Sequence, residues 1–156
     1  MRPDAPYWIA FSLLPGIGPQ RIRRAAEAFG NDMERAWRAT PSELVAAGIE
    51  PKVAGAAVAA RPSIRLAETL ERIARAGVDV HTLADPSYPP RLADVYDAPA
   101  VLYARGGFAP EDEWSVAVVG TRTVSPYGRE VTHRLVTDLV RHNVTIVRRQ
   151  SRAWAA

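Results

Sequence analysis

Apolar residues in the first half of the chain recur at three- and four-residue intervals, the spacing that lays one apolar stripe along a helix. The pattern predicts helices over 7–14, 19–29, 33–38, 42–47, 52–60 and 64–76. Pro41 and Pro51 fall in first turns, where a missing N–H costs nothing, and Gly30, Gly48 and Gly77 fall just past helix ends. Trp8 and Phe11, three apart on the first helix, are candidate core residues, as is Trp37. After Gly77 the period changes. Short β-rich runs at 78–83, 100–104 and 116–119 are separated by Pro86-Ser87-Tyr88-Pro89-Pro90 and by Gly106-Gly107. A helical run to His142 and a last apolar run, Val144 to Val147, make Val116 to Val147 about one strand-helix-strand unit long. The expected organisation is a helical domain over 1–77 and an α/β domain over 78–156. The helical domain carries its own apolar faces and is expected to be stable alone, whereas strands 116–119 and 144–147 lack the neighbours that bury both faces of a parallel sheet. Tyr88 and Tyr103, flanking the proline-rich connector, are assigned to interdomain packing in preference to base stacking.

The sharpest local feature is Val116-Ala117-Val118-Val119-Gly120-Thr121-Arg122, followed by Ser125-Pro126-Tyr127-Gly128. A β-branched run that breaks at glycine and restarts as a helix is how an α/β sheet presents an anion site at a strand's C-terminal edge. Gly120 lets backbone approach a phosphate, Thr121 offers a hydroxyl and an amide, and Arg122 supplies a permanently charged two-pronged donor. Ser125, Tyr127 and Gly128 close the loop at the helix start, where the dipole adds anion affinity. With or without a ligand, Ser125 reads as the helix cap and Pro126 as its first turn. The alternative for Arg122 is a surface ion pair.

A second turn, Leu14-Pro15-Gly16-Ile17-Gly18-Pro19, joins two predicted helices and resembles a helix-hairpin-helix. Gly16, Gly18 and Arg21 are secondary candidates for DNA contact; the turn also reads as purely structural or protein-binding, and Arg21, Arg23 and Arg24 as a solvated helix face. A weaker echo, Leu44-Val45-Ala46-Ala47-Gly48-Ile49, stands in the same relation to the next helix, so the domain reads as a degenerate pair of hairpins.

Composition narrows the chemistry. The 156 residues are 47% hydrophobic and 24% charged, with net charge +3 carried almost wholly by arginine, Lys52 being the only lysine. Guanidinium binds phosphate bidentately, so the bias is compatible with nucleic acid and equally with a solvated basic surface. Cysteine is absent, which excludes disulfides, thiol catalysis and cysteine-ligated metal and points to the cytoplasm. The apolar run before Leu14 is interrupted by Pro15-Gly16-Ile17-Gly18, so neither an export signal nor a membrane anchor is expected. His81, His133 and His142 lack metal-ligand spacing, and no nucleophile elbow or phosphate-cradling Gly-Lys loop is present. No catalytic residues, metal or cofactor are expected, and the chain is read as a non-enzyme.

The segments Asp85-Pro86-Ser87-Tyr88-Pro89-Pro90-Arg91-Leu92 and Asp97-Ala98-Pro99-Ala100-Val101-Leu102-Tyr103-Ala104-Arg105-Gly106, with the Gly120-Thr121-Arg122 and Ser125-Pro126-Tyr127-Gly128 motifs, resemble the bacterial DNA-processing protein A family, DprA or Smf. The resemblance runs from about Leu13 to Val147. It implies a fold of the α/β class: a small N-terminal helical domain of the sterile-alpha-motif or helix-hairpin-helix kind, then a Rossmann-like domain. It further implies binding of single-stranded DNA without cutting it, protection of incoming DNA, loading of RecA recombinase in natural transformation, and a homodimer. The family's Gly-Ser/Thr-Arg motif falls on Gly120, Thr121 and Arg122.

After the last strand the family continues with a Ser-Gly-Leu-Ala-Arg-Gly-Ile-Asp type segment, where this chain has Arg148-Arg149-Gln150-Ser151-Arg152-Ala153-Trp154-Ala155-Ala156. The expectation is a Rossmann-like domain truncated by a frameshift, or else a short paralogue, with an aberrant tail from about 148. Contacts with RecA and the dimer partner would then be lost, leaving a monomer of impaired activity. Two rivals stand beside this reading: a nucleotide-processing enzyme of the lysine-decarboxylase-like (LOG) type, and an adaptor whose helical domain binds protein.

Overall fold

The computed structural model describes residues 2–121 and 123–148, leaving aside the side chain of Glu111. The chain forms two compact units, one ending at Gly107 and one beginning at Phe108. The first contains α1 (Ala5–Ser12), α2 (Pro19–Ala28), α3 (Met33–Arg38), α4 (Pro41–Ala46), α5 (Pro51–Ala60), a 3-10 turn (Arg61–Ser63), α6 (Leu66–Ala76), β1 (Asp79–Thr82), α7 (Pro90–Ala93) and β2 (Val101–Ala104).

Helix α1 has almost no polar face. Ala5, Trp8, Ile9, Ala10 and Phe11 are all buried, and a helix apolar all round must be covered all round. It packs against α2, α3, α6, β1 and β2. The Trp8 indole N–H donates to Asp4 Oδ2 at 3.2 Å, which satisfies its one polar atom. Phe11 meets Trp37 edge to face at 5.8 Å between ring centres, and the Arg61 guanidinium lies 5.5 Å from the Trp37 ring centre. Each of Trp8, Ile9 and Phe11 contributes about 1.5–3 kcal/mol by leaving water.

The helix ends follow from their punctuation. Thr40 and Glu43 form a reciprocal capping box at α4, and Asp32 caps α3 through the Arg35 amide. Helix α4 ends in a Schellman turn: Gly48 sits at φ 84°, its amide bonds the Val45 carbonyl, and the Ile49 amide reaches back to Leu44.

Strands β1 and β2 pair antiparallel, with Val80 opposite Tyr103 and Thr82 opposite Val101. Val80, Ala100 and Val101 join the same buried cluster as Trp8, Phe11 and Leu44. The periodicity therefore changes at Gly77, but the compact unit continues for thirty residues more, because the helices need this ribbon to finish their core. Tyr88 also lies inside this unit rather than at an interdomain seam: it is buried, and its hydroxyl donates to the Pro99 carbonyl at 2.8 Å. The one-turn helix α7 and the 3-10 turn Pro110–Glu113 are elements the proline-rich sequence masked.

The second unit consists of that 3-10 turn, β3 (Ser115–Ala117), α8 (Pro126–Arg141) and β4 (Thr145–Val147). Strands β3 and β4 are parallel, Val116 opposite Ile146, and α8 packs on β4. Helix α8 closes with Asn143 at φ 57°, the Val144 amide bonding the Leu139 carbonyl. The ribbon β1–β2 and the pair β3–β4 are separate two-stranded sheets rather than parts of one. From Phe108 onward no described residue is fully buried, as expected where two parallel strands have a helix but few further neighbours. The fold is thus α/β, about half helical, with two small sheets.

Two outcomes follow. Limited proteolysis is expected to leave a resistant fragment ending near Gly106-Gly107; trimming that proceeds to Gly77 and leaves a folded product would show that β1–β2 are dispensable to the core. Trp8→Ala is expected to destabilise the first unit by about 3–5 kcal/mol in denaturant titration, through lost burial and the cavity left behind.

Candidate nucleic-acid interface

The strand-end loop is held from both sides. On the strand side, the Val118 amide bonds the Val147 carbonyl at 2.9 Å and the Thr145 amide bonds the Trp114 carbonyl at 2.8 Å, so the chain leaves β3 with its direction set by β4. On the helix side, Ser125 Oγ accepts from the Gly128 amide at 3.1 Å and the Arg129 amide bonds the Ser125 carbonyl at 3.0 Å. Ser125 is therefore the cap of α8 and Pro126 its first residue. A Cβ on Gly128 would lie 3.2 Å from Ser125 Oγ, so glycine there keeps the cap tight.

Between these anchors, Val119, Gly120 and Thr121 are exposed. A Cβ on Gly120 would meet nothing within 4 Å, so the space beside its backbone is open. The Thr121 hydroxyl accepts from the Thr123 amide at 3.0 Å and donates to the Thr123 carbonyl at 2.6 Å. That closed turn occupies the hydroxyl internally. Thr123 was not singled out from the sequence; the signal for such a turn is Thr121 itself, whose hydroxyl can bond the backbone two residues on. Arg122 lies outside the described residues. Tyr127 is 77% exposed. In the first turn of α8, Pro126 has no N–H and Gly128 donates to the cap, while the Tyr127 amide has no acceptor within the helix, as at any helix start, and is backed by the helix dipole. Gly120, Thr121, Ser125, Tyr127 and Gly128 thus share one exposed loop and helix start.

The secondary candidates belong to the first unit. Gly16 sits at φ 75°, a conformation that favours glycine, and Gly18 caps α2 without a side chain. Arg21 is committed locally: its Nε and Nη2 donate to Glu50 at 2.7 and 3.0 Å, and its Nη1 donates to the Gly16 carbonyl at 3.0 Å. Arg23 donates to the Ala93 carbonyl at 2.9 Å and Arg24 to the Gly48 carbonyl at 3.1 Å. Each glycine turn also lies against a helix of the other pair, since a Cβ on Gly16 would meet Val53 Cγ1 of α5 at 3.5 Å and one on Gly48 would meet Arg24 Cδ of α2 at 3.6 Å. Each turn rests on the second helix of the other pair, and the α2 arginines hold that arrangement. The Arg21 hydrogen bonds, helped by Glu50's own backbone amide, lower the Glu50 carboxyl from 4.5 to about 2.

Of the histidines, His81 Nδ1 and Ser87 Oγ lie 2.8 Å apart, and His142 Nδ1 donates to the Asp138 carbonyl at 2.7 Å. No helix among the described residues is long and apolar enough to cross a membrane.

The family profile described as DNA recombination-mediator protein A matches residues 79–148, a stretch that includes the whole strand-end loop. The Synechocystis protein Smf is 30% identical over 146 residues, which is 90% of this chain and 36% of that protein. The DNA processing protein DprA of Bacillus subtilis is 30% identical over 84 residues, 53% of this chain and 28% of its own, and the Borreliella burgdorferi protein Smf is 33% identical over 87 residues, 55% of this chain and 28% of its own. No solved structure matches. These matches support membership of the DprA/Smf family of DNA-processing proteins. It spans about a third of the length of these curated relatives.

The Arg21–Glu50 pair can be tested by titration. The depressed carboxyl pKa adds stability above pH 4.5 that is lost as pH falls toward about 2. The Glu50 carboxyl, followed by NMR, is expected to titrate near 2 and to return toward 4.5 in Arg21→Ala. A wild-type midpoint near 4.5 would show Arg21 free for other partners.

Proposed function

We propose that this chain binds the backbone of single-stranded DNA without regard to sequence and without cleaving it, through the loop that runs from Gly120 to Gly128. The observation that carries the reading is the open backbone at Gly120 in the loop that leads to the exposed, Ser125-capped start of α8. Such a site suits a phosphate, and it offers no arrangement of side chains for reading base edges. The family's DNA-processing names support it. In this reading Arg122 supplies the charged donor. The helical hairpins around Gly16 and Gly18 serve as scaffold, because Arg21, Arg23 and Arg24 are drawn to carbonyls and to Glu50. The work is non-catalytic and cytoplasmic. In this reading the chain helps to shield single-stranded DNA for a RecA-type recombinase.

Titration of a labelled single-stranded oligonucleotide at two salt concentrations tests this. Binding is expected to weaken steeply with salt. Arg122→Ala should cost about 1.5–3 kcal/mol, the range for a hydrogen bond to a charged group, and Arg23→Ala no more than about 1 kcal/mol. Equal losses would move the site to the hairpins. An absence of binding by the wild type would remove the proposal.

A further inference from the structure

The inner face of the β1–β2 ribbon is incompletely covered. Antiparallel pairing puts Val80, Thr82, Val101 and Tyr103 on one face. The first three are 8%, 0% and 8% exposed, whereas Tyr103 is 44% exposed. The helical layer stops short of this fourth position, leaving an open groove of about 660 Å³ beside α6. Leu13, Ile73 and Val78 form its apolar part, Tyr103 one wall, and Arg72 and Arg75 its charged rim.

The rim is one-sided. Arg72 and Arg75 are exposed, and among the described residues neither has an ion pair, while no carboxylate lines the groove. Arg105, just past β2, donates to the Ala76 carbonyl at 2.9 Å and keeps a third guanidinium beside the last turn of α6. Burial pushes the Tyr103 phenol above its ordinary value, so it remains a neutral donor at physiological pH.

We propose that this groove docks an acidic protein segment carrying a pair of bulky apolar side chains, one of them anchored on Leu13, Ile73 and Val78 against Tyr103, with its carboxylates meeting Arg72 and Arg75. Charge complementarity selects the acidic partner. The aliphatic floor selects a protein rather than a nucleic-acid strand, because successive bases need aromatic platforms and only Tyr103 is present, while a Leu or Phe side chain fits a small apolar recess. The inference is independent of DNA binding at the Gly120 loop.

The test uses the full chain and a short fluorescent peptide of aspartate and glutamate around one Leu-Phe pair, followed by anisotropy. Saturable binding is expected, weakened about two- to fivefold by Arg72→Ala or by Arg75→Ala, as for exposed charge pairs. The Arg72→Glu, Arg75→Glu double variant is expected to lose binding, as is a peptide with Ser-Ser in place of Leu-Phe. These rim positions are exposed, so unchanged circular dichroism and melting should accompany the losses. The proposal is overturned if no saturable binding occurs, if the anchorless peptide binds equally well, or if the arginine variants bind as tightly as wild type. It is also overturned if an oligothymidylate displaces the peptide and loses affinity on the same rim variants, which would make the groove a nucleic-acid site.

Discussion

The burial of α1 is the constraint on which the rest of the first unit depends. A helix carrying Trp8, Ile9, Ala10 and Phe11 in succession has no side to turn toward water. It can be stable only where other elements surround it, and α2, α3, α6, β1 and β2 all contact it. The β-ribbon is thus not the start of a second layer with its own core; its inner valines complete a core begun by residues near the N-terminus. Among its described residues the second unit has no such organising segment. Its helix α8 carries a polar face and an apolar face, and Val131, Leu135 and Val140 remain substantially exposed.

Arginine has an architectural use in this chain that composition does not reveal. Among the described residues, arginines donate to main-chain carbonyls at turns or helix ends distant in sequence or across a loop: Arg2 to Ala84, Arg21 to Gly16, Arg23 to Ala93, Arg24 to Gly48, Arg61 to Ala39 and Arg105 to Ala76. A guanidinium is long, planar and rich in donors, so it can satisfy an orphan carbonyl at a helix end while its stem covers apolar surface. A positive charge count in such a protein therefore overstates what is free to meet phosphate. The arginines available to a partner are those without these internal contracts, among them Arg72 and Arg75 on α6.

The helices were legible because an apolar stripe was joined at most of them by proline in the first turn or glycine past the end, and at α4 by both, as at Pro41, Leu44 and Gly48. Strand positions were legible too, to within a residue or two. Their partnership was not, because nothing local in Asp79–Thr82 or Val101–Ala104 says that their valines belong to Trp8 and Phe11 rather than to the later strands. Helix α7 was hidden by prolines that equally serve turns. At the strand-end loop, the Ser125 cap could be read directly from Ser-Pro before a helix, whereas the Thr121 hydroxyl, offered to a phosphate by the sequence, is folded onto Thr123. The hairpin arginines were open to two readings because a solvated helix face and a set of cross-domain ties look alike until Gly16, Gly48 and Glu50 are seen together.

The surrounding of α1 by β2 has a consequence for how the protein is made. Ala5 leaves the ribosome long before Val101, yet the apolar helix cannot be closed over until β2 has been synthesised and has emerged. At roughly 5–20 residues per second the interval is on the order of 5–20 s. Throughout that time the nascent chain presents its most apolar segment to the cytosol, and chaperone demand should be concentrated there rather than on the finished protein. A codon or sequence change that slows translation between α6 and β2 would lengthen that exposure without altering a single native contact.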